Sequence, residues 1–406
     1  MTVVEAPAPS LPRNYLSWLS AFTVGRLGDA TLGFALGWAA AGMGGTTAAL
    51  VLTLSGLPRL VLLLVGGAVS DRIGARRLLI AGEAALLTLT CGLAAALTRF
   101  GSPPWLLMGA ALALGTVTAF CLPAAGSMPR RLVPDDQLPR ALALRQGVSQ
   151  IVLLASAPLG GLLVGSVGLP VVACLAAGAS GVALCVLVAL RDPTGPVRAA
   201  GTPAPRLDLL DGFRVVARAP GLRAALLLTG AGAALLLPVP SLLVPLLGRA
   251  AGWGPGQTGA VAGAVGVGAV GAALLATRRR GATSRVGTVS AAGGLALSAA
   301  GVPVLAGGAA LDGPVALVVA VVGGAVAGFG SGAFAARLAP MVLGSAPRTH
   351  LARVQALVGL AQLLPVLATT TALGALAERT SPSWALGVTA VGLAGCAAWA
   401  RVRVAS

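Results

Sequence analysis

Long apolar runs recur along the whole chain, separated by short polar turns. A predominantly apolar stretch of 18 or more residues is long enough to cross a bilayer as a helix. Such runs fall at 14–41, 46–69, 78–98, 104–126, 141–165, 168–190, 221–247, 255–277, 286–308, 314–340, 351–376 and 382–400. The pattern predicts an all-α integral membrane protein with twelve transmembrane helices. Only the stretch 191–220, with Pro193, Pro196, Pro203 and Pro205, is a long polar connection. The expected organisation is a tail (1–13), a six-helix bundle (14–190), a central loop (191–220), a second six-helix bundle (221–400) and a tail (401–406).

The polar positions then give an orientation. Only 10% of the residues are charged, against about a quarter in soluble proteins. All 28 basic residues are Arg, and they cluster in alternate connections. With the N-terminus inside, one side holds nearly all of them, while the other holds only Arg99, Arg249 and Arg379. Short loops rich in basic residues stay cytoplasmic, so both termini are expected inside a multi-pass cytoplasmic (inner) membrane protein. The net charge of +17 therefore reads as topology, with no nucleic-acid partner. A nucleotide-binding loop of the Walker type needs a Lys, and the chain has none. The five cysteines lie inside apolar runs without metal-ligand spacing, and His350 is the single histidine. We expect no metal, no cofactor, no enzymatic centre and no cleaved signal peptide.

The halves repeat weakly. An offset of 213 brings Pro134 onto Pro347, Arg140 onto Arg353 and Gly161 onto Gly374. An offset of 207 brings Arg72-Ile-Gly74 onto Arg279-Arg280-Gly281. Parallel six-helix repeats with a site at their interface are a recurring transporter design.

Between the second and third runs lies Gly67-Ala-Val-Ser-Asp71-Arg72-Ile-Gly74-Ala75-Arg76-Arg77. This loop resembles the signature of the major facilitator superfamily. Arg26-Leu27-Gly28-Asp29, Leu-Val-Pro-Asp-Asp136 and Ala157-Pro158-Leu-Gly160-Gly161 are similar to segments of its twelve-helix, macrolide-efflux-like drug and metabolite exporters. Ala75 stands where the family usually has a basic residue, and Ala157 where its helix-five motif has Gly. The resemblance implies two pseudo-symmetric bundles and alternating access. It also implies a cytoplasmic gate built from Gly67, Asp71, Arg72, Gly74, Arg76 and Arg77 with Arg131, and a helix-five motif of Pro158, Gly160 and Gly161.

Charge inside hydrocarbon costs about 2.5–3.5 kcal/mol per group on insertion scales, so each instance needs a reason. Arg26 and Asp29 share a face at mid-helix, and Arg59 lies at similar depth in the second span. Two readings are open: an ion pair that fixes the two helices together, or a coupling site in which Asp29 carries a proton. Glu83, nearer the cytoplasmic end of the third span, is a second proton candidate or a partner for the Arg-rich loop. Arg26 and Arg59, with Phe34, Trp38, Gln355, Gln362 and Thr370, are candidates for a central substrate cavity. Gly266-Val-Gly268-Ala-Val-Gly271 matches a dinucleotide fingerprint literally, but it lies inside an apolar run and reads as helix packing.

The expectation is a monomeric, proton-coupled exporter of a small organic molecule, with protons and the bilayer as its other partners. An importer or uniporter of an organic anion, a lysolipid transporter and a non-transporting membrane sensor are the alternatives.

Overall fold

Within a bilayer no water satisfies backbone N–H and C=O groups, and a helix closes them internally. All regular structure among the described residues is accordingly helical. The computed structural model of the chain describes residues 10–62, 74–190, 220–278, 284–345 and 351–404. Gly67, Asp71 and Arg72 of the charged loop, the segment 191–219, the second-half loop 279–283 and His350 lie outside the described residues.

The helices are α1 (Arg13–Ala41), α2 (Gly45–Leu62), α3 (Ala75–Phe100), α4 (Pro104–Leu132), α5 (Leu138–Ser166) and α6 (Gly168–Ala189). α7 runs in three pieces, Pro220–Leu236, a π-helical turn Val239–Leu243, and Val244–Ala250. α8 (Pro255–Arg278), α9 (Ser284–Gly308), α10 (Gly313–Ser345), α11 (Leu351–Arg379) and α12 (Pro382–Val404) complete the set. Each expected span meets one helix. Among the described residues, ten helices are by length and composition apolar enough to cross a membrane; α1 and α2, which carry Arg26, Asp29 and Arg59, are the other two. α4 runs six residues beyond its expected end, through Pro123 and Pro129. Membrane helices tolerate such prolines, and the extension buries Met128 and Leu132.

An even number of crossings returns both chain ends to one face, here called the terminus face. The turns on the opposite, far face are short, and positive φ angles at Gly101 (71°) and Gly168 (81°) make two of them. In the first half α1 packs on α5 and α6, α3 on α6, and α2 on α4. In the second half α10 packs on α8 and α9, α9 on α12, and α7 on α11. The halves meet through α5 with α8, α2 with α11, and α1 with the far end of α7.

The weak sequence repeat has a physical counterpart here. Gly161 of α5 lies against Pro255 and Gly259 of α8, and Gly374 of α11 lies against Gly45 and Ala49 of α2. The 213 offset relates the two glycines. An offset of 210 carries Gly45 to Pro255 and Ala49 to Gly259. One close backbone approach is thus built twice, once at each crossing between the halves. Such approaches favour small residues, because lipid supplies no hydrophobic force between helices and van der Waals contact must hold them.

The core that the halves share includes Leu36 and Val51 from the first with Leu242, Leu243 and Leu373 from the second. A smaller cluster of Tyr15, Trp18, Leu79, Met128 and Leu187 is formed by the first half alone, near the terminus face.

Candidate functional site

Helical rise places the interior charges at one depth. Counted from the far-face ends of their helices at 1.5 Å per residue, Asp29, Arg59, Arg26 and Glu83 lie about 18, 21, 22 and 25 Å in. That band is about 7 Å deep, nearly a turn and a half of helix. Arg26 and Asp29 share a face of α1, and Arg26 interacts electrostatically with Asp29, with Arg59 on α2 and with Glu83 on α3. Among the described residues, no nitrogen of Arg26 or Arg59 comes within 4.0 Å of a carboxylate oxygen. Arg59 Nε is buried and has no hydrogen-bond partner. Coulombic interaction therefore joins the group, without the closed ion pair that would make it a structural staple.

Glu83 turns inward. A methyl group placed on Gly25 would sit 3.3 Å from Glu83 Oε1 and 3.5 Å from Oε2, so the carboxylate leans on α1 one turn before Asp29. Glycine is what lets it come so close. Glu83 also interacts with Asp29 itself and with Cys121 of α4. The expected alternative, a partner for the Arg-rich loop, does not describe this position. Arg76 instead donates from Nη2 to Val188 O at 2.9 Å, capping the C-terminal end of α6, where a cation is favoured. Sequence reading missed Gly25, Cys121 and Ser180 of α6 around Glu83.

A Major Facilitator Superfamily family model matches residues 18–323. The chain belongs to the major facilitator superfamily. It superposes on a crystal structure of the nucleoside transporter NupG in a mutant form, with TM-score 0.76 and 12% identity, covering 95% of this chain and 99% of that one. A bacterial homologue of the iron transporter ferroportin, in an inward-facing state, gives TM-score 0.72 and 14% identity, covering 96% and 98%. The POT family transporter PepTSo gives 0.70 and 12%, covering 98% of each chain. At such identities these likenesses show the shared fold. No curated protein matches the sequence.

Within the superfamily fold the remaining sequence candidates separate into interface and interior positions. The helix-five motif serves two neighbours at once. Gly160 lies against Thr31 O and the Phe34 ring of α1, while Pro158 and Gly161 receive Gly263, Pro255 and Gly259 of α8. Trp38 is 5% exposed, and the Arg249 guanidinium lies 3.9 Å over its ring while donating to Trp38 O at 3.1 Å. Trp38 thus sits at the far-face junction of α1 and α7. Thr46 N, at the start of α2, donates to Glu378 Oε2 of α11 at 2.6 Å, a second far-face tie between halves. On α11, Gln362 is half-buried and Thr370 buried. Beside Thr370, the Thr371 hydroxyl lies 3.1 Å from that of Thr53 on α2. The side chain of Gln355 lies outside the described residues. Gly74 and Arg77 flank the start of α3, and Arg131 lies in the last turn of α4.

The glycine-rich stretch of α8 is helix packing. Gly266 lies against Leu154, and Gly268 against Ala325 and Phe329 of α10. An apolar groove of about 490 Å³ between α7 and α12, lined by Leu227, Ala231 and Trp399, holds none of the four charged groups.

Proposed function

We propose that the chain moves a small organic molecule across the cytoplasmic membrane by alternating access, coupled to protons at Asp29, with efflux as its direction. The observation that carries this reading is an ionisable group at mid-depth held without a closed ion pair. Charge there is costly and in membrane proteins usually marks a transport path or proton relay. Arg26 and Arg59 would sense the substrate, with Phe34, Gln362 and Thr370 among the residues facing its route. The sign of coupling follows from charge. A cationic substrate competes with the proton at Asp29 and is exchanged for it. An acid-bearing substrate takes the arginines and binds together with the proton.

That second case suits an importer of an organic anion, and the unpartnered Arg59 Nε is the observation that favours keeping this reading. The positive-inside bias supports cytoplasmic termini, a far face turned outward, and the domain division expected from the sequence. On that orientation, the halves meeting near the far face would close the transporter to the outside. Asp71 with Arg76, Arg77 and Arg131 would then latch the terminus face in the opposite state.

The test is substrate-induced pH change in proteoliposomes holding the purified protein, screened with anionic and cationic compounds. Proton movement with one charge class supports the reading and sets its sign. Transport of neutral compounds without proton movement would sink both versions.

A further inference from the structure

The first bundle holds a second ionisable position that the cavity residues do not account for. Ser180 is 1% exposed, and both Ser180 Oγ and Glu83 Oε2 are buried without a hydrogen-bond partner. The hydroxyl lies within hydrogen-bonding reach of the Glu83 carboxyl, yet no bond of good geometry joins the two. Buried polar atoms are normally satisfied, and leaving one unmade is costly. Two such atoms side by side, against a carboxylate that leans on Gly25, mark a position whose partner changes.

We propose that Glu83 and Asp29 hold one proton between them inside the first bundle, with Ser180 as the positioning residue that serves Glu83 in both of its protonation states. This rests on the coupling role proposed for Asp29 and adds to it the place where the proton is kept. The groups facing Glu83 are Asp29 and Arg26 from α1, Cys121 from α4 and Ser180 from α6. Arg59 of α2 faces Arg26 in turn.

Like charges at a shared, desolvated site disfavour each other's ionisation, so the first proton bound relieves the repulsion and the second has less reason to bind. Arg26 interacts with both carboxylates, which favours leaving one of them ionised over protonating both. A serine hydroxyl suits the remaining one, because it donates to a carboxylate and accepts from a carboxylic acid. No co-reactant is needed; the proton leaves one carboxyl oxygen for solvent or for the other. Titrations coupled in this way belong to the pair and not to either residue.

The experiment is infrared difference spectroscopy of the carboxyl stretch during a pH titration of the full chain in lipid nanodiscs, with no substrate present. Wild type should lose its buried carboxylic-acid signal in two steps. Glu83→Gln and Asp29→Asn should each collapse this to one step. Ser180→Ala should shift the band frequency while Ser180→Thr, which keeps the hydroxyl, restores it. Two steps persisting in Glu83→Gln, or superimposable spectra for wild type and Ser180→Ala, would overturn the shared proton. Should Glu83→Gln fail to fold by thermal unfolding, the two Ser180 variants decide alone. Asp29-dependent transport is read separately in proteoliposomes, so either idea can fail without the other.

Discussion

Inside the membrane the first bundle carries Arg26, Asp29, Arg59 and Glu83, while the second, among its described residues, brings backbones together. Under the 207 offset Arg26, Asp29 and Arg59 fall on Ala233, Leu236 and Gly266. In α10, Gly328 lies against the Val265 backbone of α8, and Gly330 against Gly294 and Ser298 of α9. One half accepts the cost of buried charge; the other gains close contact that lipid cannot supply. Among the described residues, buried charge thus lies on one side of the central crossing and close small-residue packing on the other. On the proposed alternating-access reading, the two glycine crossings, α5 with α8 and α2 with α11, would be where one half moves against the other.

Substitutions can break this comparison. The largest expected effect follows Arg59→Gln, which removes a guanidinium whose buried Nε has no hydrogen-bond partner. Transport should fall at least roughly tenfold, the order lost with one charged group at a transition or binding step. Gln362→Ala in the second half should cost less than about threefold. Equal losses in radiolabelled uptake or efflux would show that chemistry is not confined to the first half.

Stability should respond in the opposite sense. A side chain at Gly328 meets backbone that cannot retreat, so Gly328→Leu should cost about 1–3 kcal/mol and lower the thermal unfolding midpoint in detergent. Glu83→Gln removes an incompletely satisfied buried charge and should leave that midpoint unchanged or raised. A large drop with Glu83→Gln would make that carboxylate structural. Smaller than the Gly328 loss is that of Arg249→Ala. It loses the contact with Trp38 and its carbonyl bond, about 1–2 kcal/mol, and should raise the far-face-open population severalfold. Spin labels across the far face measure that as a longer distance component. At the low end, Thr53→Val should cost about 0.6 kcal/mol at the α2–α11 crossing.

Much of the fold was legible because span length and apolar content are one-dimensional properties. The Gly161–Gly374 match was legible for the same reason, and its meaning came only with the crossings themselves. The direction of Glu83 was not legible. A helix offers several faces, and which one meets Gly25 depends on how α3 is rotated against α1. Ser180 is one small polar residue among many until its hydroxyl is seen unpaired. The far-face ties join residues far apart in sequence, Arg249 to Trp38 across 211 positions and Glu378 to Thr46 across 332. No local spacing announces them.

The most direct test of a coupling site in the first bundle is the pH trace of proteoliposomes holding wild type or Asp29→Asn, using the compound that the charge-class screen selects. Wild type should acidify or alkalinise the lumen as that compound is added, and Asp29→Asn should bind the compound without moving protons. Wild-type proton movement in Asp29→Asn would contradict the assignment outright.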